Sequence, residues 1–286
     1  MLETVLAHER LPAAVAALAN GMLDVSARNR ALDGIFKDAG RYVTALLVVH
    51  LHMRGELTLP KLKAHCTASG FLSSGRARAL LSYLRHLNFI ATPQDNPGRA
   101  PTHYAATDML MTAWRDHLRV ALEAVSILEP AARIVADRLD DPEIFTLFGH
   151  CHIEGLLAVA PVDPRLDDSF VRLIMHRHAG NQLLWSLLAT TDTAFPPAAP
   201  IPLSVAGTAR RFGVSRVHLQ RMLDDAVRAG LIRRTEDGSI VLEGVRPHMR
   251  FLYPAQLIKL LSACAGTIAA RPDIVLGNVP RLAETA

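Results

Sequence analysis

FGVSRVHLQRMLDDAVRAGLIRR, residues 212–234, carries three local signals in one run. Gly213 can end one helix, and the Ser215 hydroxyl can cap the orphan amides of the next. Leu219, Met222, Leu223, Ala226 and Val227 then recur at the spacing of a buried helical stripe. The opposite face, with Arg216, Val217, His218, Gln220 and Arg221 near its start, is basic and polar. Beyond it, LIRRTEDGSIVL sets Asp237 and Gly238 between two apolar runs, a hairpin signal because both residue types tolerate positive φ. With a short helix over 203–212 ahead of it, the order is helix, tight turn, helix, hairpin.

That order is written twice. At an offset of 142 residues, LPKLKAHCTASGFLSSGRARALLSYLRHLNFIAT (59–92) follows the same plan: Leu59-Pro60 aligns with Ile201-Pro202, Ser73 with Ser215, Leu80-Leu81 with Met222-Leu223, and Phe89-Ile90 with Leu231-Ile232. Here Ala77, Leu80, Leu81 and Leu84 take the core positions, leaving Ser74, Gly75, Arg76, Arg78 and Ala79 outside. A longer, Pro- and Gly-rich hairpin tip bears Arg99. Upstream, KDAGRYVTALLVV (37–49) matches RHAGNQLLWSLLA (177–189) at an offset of 140, and apolar-periodic helices near 108–127 and 247–269 close the two copies. Two halves follow: 1–127 with a basic unit at about 55–107, and 128–286 with one at about 200–243 and an inserted helix at about 141–164.

Composition agrees with a mainly α chain carrying small β elements. Of 286 residues half are apolar and few are aromatic, and Ala and Leu recur throughout. Net charge is +4, but it is unevenly placed: 59–92 and 203–234 each carry +5, which leaves −6 for the rest. Positive charge gathered at two sites on an otherwise acidic chain suits a polyanion touched at two places. The longest apolar run, from Tyr42 through Met53, is too short to cross a bilayer, and the opening MLETVLAHERLP lacks the plan of a signal peptide, so a cytoplasmic protein is expected. Three cysteines without a C-x-x-C pair point to a reducing compartment and small core residues.

Helix, turn, helix and hairpin, clearest over 201–242 and fair over 59–106, resemble winged helix-turn-helix transcription regulators, the MarR family above all in having helices on both sides of the unit. The resemblance implies tandem winged-helix units on a helical scaffold, an internal pseudo-dimer where that family has one unit per chain; a further homodimer is compatible with it. It also implies sequence-specific binding of double-stranded DNA, with recognition helices 73–86 and 215–228 in adjacent major grooves about 34 Å apart. Arg216, His218, Gln220 and Arg221 are then the base readers, with Ser74, Arg76 and Arg78 in the first copy. Lys61, Lys63, Arg210, Arg211, Arg233 and Arg234 would touch phosphates, and Arg99 a narrow minor groove. Tandem winged helices also occur in plasmid replication initiators and in chromosome-condensation accessory subunits, which keeps those two readings open.

Such regulators often hold a small effector. Helices near 38–54 and 166–190, with Trp114, Phe145, Phe148 and Trp185, supply apolar surface for one, although the same aromatics read equally as core. His150, Cys151, His152, Glu154, His176 and His178 are residue types that bind metals, but His-x-His on a helix sends its rings to opposite sides, so no metal or other cofactor is expected. Motifs for phosphate cradles, nucleophile elbows and metalloprotease helices are missing, and no enzymatic activity is expected.

Overall fold

Apolar residues at helical spacing run almost from end to end, and the chain folds accordingly. A computed structural model describes residues 1–70, 72–92, 103–157, 166–190 and 194–275. Its elements in order are α1 (Leu2–Leu6), α2 (Leu11–Arg28), α3 (Arg30–Phe36), α4 (Ala39–Met53), α5 (Leu59–Ala68), α6 (Ser74–His86), β1 (Ile90–Ala91), β2 (Ala105–Ala106), α7 (Asp108–Val125), α8 (Ala131–Asp137) and α9 (Pro142–Leu157). Then come α10 (Asp168–Phe170), which runs on as a π-helical turn (Val171–Met175), α11 (Gly180–Leu188), α12 (Val205–Arg211), α13 (Arg216–Arg228), β3 (Ile232–Arg234), β4 (Ile240–Leu242), α14 (Val245–Ala270) and α15 (Pro272–Val275). Among the described residues the sheet content is two antiparallel pairs, β1 with β2 and β3 with β4.

One continuous apolar core joins the two halves of the chain. Helix α2 packs on both α7 and α11, while α9 lies along α14, which also meets α1, α7 and α8. Trp114 and Phe148 are fully enclosed and Phe145 is buried. Trp185 stands edge-on to Phe36 at 5.5 Å. The aromatics named from the sequence thus pack into the core. Helix α14 is the one helix among the described residues with the length and apolar composition of a membrane span. Core helices pass the same test, and α14 buries Met249, Tyr253, Leu257, Leu260 and Cys264 on its protein side, so the chain is not clearly membrane-spanning.

The repeat is present in the backbone. Ser73 caps α6 by accepting from the Arg76 amide, and Ser215 caps α13 by accepting from the His218 amide. At the other end Asn88 (φ 57°) and Gly230 (φ 68°) turn left-handed, which brings the Phe89 amide to the Leu84 carbonyl and the Leu231 amide to the Ala226 carbonyl, each at 2.9 Å. Every one of these pairs keeps the offset of 142. Each hairpin gains a third strand position, since Ile201 bridges Ile240 and the Leu57 carbonyl accepts from the Tyr104 amide.

Four expectations need correction. Pro60 lies in the first turn of α5, whereas Pro202 precedes the α12 cap Ser204, so the Leu59-Pro60 and Ile201-Pro202 alignment does not hold and Leu57 is the partner of Ile201. At the second hairpin only Gly238 has positive φ; Asp237 instead uses its carboxylate, accepting from the Ser239 amide and hydroxyl and the Thr235 hydroxyl, which closes a five-residue connection. Val227 is 37% exposed, off the edge of the stripe formed by the fully buried Leu219, Met222, Leu223 and Ala226. The continuous helix expected over 166–190 is broken at 176–179, where Ala179 is left-handed (φ 70°) and Gly180 lies so close to the Ile174 carbonyl that a side chain would not fit. Of the tail from Arg271 onward, Pro272–Val275 is helical, and residues after 275 lie outside the described residues, as does Arg99 in the first hairpin tip.

Candidate nucleic-acid interface

Stripes of Leu, Met and Ala hold α6 and α13 to their units; burying each Leu or Met contributes about 1.5–3 kcal/mol. What remains outside is the set of residues named above, and the structure divides it. On α13, Arg216 and Arg221 are exposed and have no partner among the described residues, and Val217 between them is 58% exposed. Arg210 and Arg211, in the last turn of α12, are likewise exposed and unpartnered. Three acids of this unit are engaged with other partners. Asp224 takes Arg234 at 3.4 Å and Gln220 at 2.9 Å, Asp225 takes Arg177 and Arg228, and Glu243 takes Arg233 at 2.7 Å. Four arginines therefore stand without counter-charge around the turn that joins α12 to α13.

Arg234 is turned inward, with Nε and Nη2 buried and without hydrogen-bond partners among the described residues. In the first unit, Lys61 pairs with Glu56 at 3.1 Å, Lys63 is half-buried, and Ser74, Arg78 and Arg85 are exposed.

Arg76 and His218, each partly exposed, are tied back to the scaffold. They are equivalent at the offset of 142, and each is held by the scaffold residue two places before a glycine, Gly40 in the first turn of α4 and Gly180 at the start of α11. The Arg76 Nη2 donates to Asp38 Oδ1 at 3.0 Å. His218 Nε2 lies 2.8 Å from the His178 carbonyl, and since a carbonyl can only accept, this nitrogen carries the proton. Asp38 and His178 are themselves equivalent at the offset of 140, so the repeat extends to a tertiary contact.

The scaffold side of this contact is a polar seam that the sequence reading missed. Asp38, with its side chain 4% exposed, caps α4 through the Arg41 amide and holds the guanidinium groups of Arg41 and Arg76. Its neighbour Lys37, also buried, pairs with Asp33 at 2.7 Å and donates to the Phe212 carbonyl at the end of α12, where a cation is favoured by the helix dipole. Gln182 donates to Ser26 at 3.0 Å and to Asp33, tying α11 into the same network. Two consecutive residues thus hold one unit each. The usable signal was the aligned pair of runs, Lys37-Asp38-Ala39-Gly40 and Arg177-His178-Ala179-Gly180, in which a cation and an Ala-Gly pair recur at the same places. Burial holds His176 and His178 below the usual imidazole range, helped by Arg76 for the first and by Arg41 and Lys37 for the second, with Asp38 opposing both.

The histidines that might have met at a metal are dispersed. His150 faces His50 at 5.9 Å, His152 stacks on Phe148 inside the core, and His176 and His178 lie in the seam. Among the described residues no group of three or more His, Cys, Asp or Glu is placed to hold a metal ion. Burial pushes the Cys66 thiol up to about 11 and the Cys264 thiol to about 12, which makes them inert core residues.

No protein-family model matches the chain, and no curated protein or solved structure does either.

Proposed function

We propose that the chain is a sequence-specific, double-stranded DNA-binding transcriptional regulator of the cytoplasm, built as two winged helix-turn-helix units in an internal pseudo-dimer, with α6 and α13 entering adjacent major grooves. The observation that carries this reading is the arginine set 210, 211, 216 and 221, exposed and without counter-charge at the start of a helix that follows a tight turn and precedes a hairpin. Arginine offers two parallel donors to the guanine acceptors in the major groove, and a surface of unneutralised guanidinium groups suits phosphates. Arg216 and Arg221 are the base readers of the set. Arg210 and Arg211, with Lys63, Arg78 and Arg85 on the other unit, fix register on the backbone.

The test is retention of random genomic duplex fragments by the purified protein at near-physiological salt, followed by sequencing. A compact motif about two helical turns long is expected. Arg216→Ala with Arg221→Ala should remove the preference for that motif while Arg210→Ala weakens binding to all sequences and lowers its salt dependence. Failure to retain duplex of any sequence would overturn the proposal.

A further inference from the structure

The two units share a frame residue for residue, so their outward faces can be compared position by position. At the offset of 142, Arg216, Val217, Gln220 and Arg221 of α13 correspond to Ser74, Gly75, Arg78 and Ala79 of α6. The α13 face projects two unpartnered guanidinium groups with an apolar side chain between them, Gln220 being turned back onto Asp224. The α6 face projects one, Arg78, among residues too short to reach past a groove wall. Gly75 is not small for want of room, since a Cβ there would meet nothing within 4 Å. Arg76, which could have added a second long donor, is held by Asp38.

We infer that the two units read DNA unequally: α13 selects a guanine-bearing half-site with a thymine methyl against Val217, and α6 holds the other half with little choice of base. The inference rests on the DNA-binding reading above. It adds that the site is not a palindrome. The charge of the first unit suits phosphates, and that of the second suits base edges as well. Val217 is the deciding side chain. The thymine 5-methyl is the apolar group on the floor of the major groove, and an exposed valine flanked by two arginines is complementary to a thymine beside guanine acceptors.

Two experiments test this with the full chain. First, the motif selected from random duplexes should hold its information in one half, with guanine at two positions and thymine between or beside them. Second, replacing that thymine by uracil removes only the methyl group and should weaken binding about fourfold, the worth of one buried methyl. Val217→Ala should bind thymine and uracil duplexes alike. The triple change Ser74→Arg, Gly75→Val and Ala79→Arg, all at exposed positions, should create matching information in the second half. A palindromic motif from the unaltered chain would overturn the inference and leave DNA binding standing, as would a uracil effect unchanged by Val217→Ala. Absence of any duplex binding would overturn both.

Discussion

The two repeated units, α5 to β2 and α12 to β4, rest on the scaffold through the same contact made with different chemistry. In the first, the acceptor for Arg76 is the side chain of Asp38, which also caps α4; in the second, the acceptor for His218 is the backbone carbonyl of His178. A carbonyl inside an unbroken helix would be bonded to the amide four residues on, here that of Gln182. The break at 176–179 releases it. The turns differ in the same spirit. At the C-cap of α5 the Ser69 hydroxyl donates back into its own helix, to the Cys66 carbonyl at 2.7 Å, while at the C-cap of α12 the Phe212 carbonyl accepts from Lys37 of the scaffold. A duplicated frame keeps its backbone and is free to change which atoms hold it.

The sharpest way to break this comparison is to remove the two acceptors. Asp38→Ala strips a buried carboxylate from two guanidinium groups and uncaps α4, and should lower stability in urea unfolding by about 3 kcal/mol. His178→Ala leaves the accepting carbonyl in place and should cost about 0.5 kcal/mol or less. Equal losses would mean that the second contact does not rest on the His178 carbonyl alone.

Next in size is an effect of acid on the core that both units share. Burial lowers His117 to about 3, with His152 adding to it, and lowers His152 to about 4, with Lys259 adding to it. Both titrate lower in the folded chain than in the unfolded one. Below pH 6.5 the unfolded state therefore takes up protons that the folded state refuses, and stability falls as pH drops from 6.5 toward 4. At pH 5 each should cost about 2 kcal/mol. His152→Gln should flatten the fall in midpoint measured between pH 7 and 5 without moving the pH 8 value by a comparable amount.

A smaller effect than that of acid concerns the second unit alone. His218→Ala loses one hydrogen bond and should cost about 1 kcal/mol, visible as faster amide exchange in 215–219 than in the matching turn of α6. Unchanged exchange would show that the His178 contact does not hold α13.

Much of this architecture was legible because local chemistry dictates it. Ser73 and Ser215 marked the starts of α6 and α13 to the residue, and the stripes Ala77-Leu80-Leu81-Leu84 and Leu219-Met222-Leu223-Ala226 marked their buried faces. The break before α11 was not legible, because HRHAGNQLL keeps helical spacing and nothing local asks Ala179 to turn left-handed; the partner of the carbonyl beside the break, His218, lies forty residues away from His178. Among the candidate interface residues, composition could not separate Arg216 and Arg221 from Arg76 and Arg234. All four are arginines on a basic unit, and only tertiary neighbours decide which remain outside.

Lys37 and Asp38 are consecutive, and each grips a different unit, so the chain between the two grips contains no rotatable linker. On the proposed reading the protein would impose its own helical phase on DNA. Inserting one base pair between the halves of the site turns one half by about 35° and shifts it by about 3.4 Å relative to the other. A clasp without slack cannot follow that movement, so spacing would be discriminated as strictly as sequence.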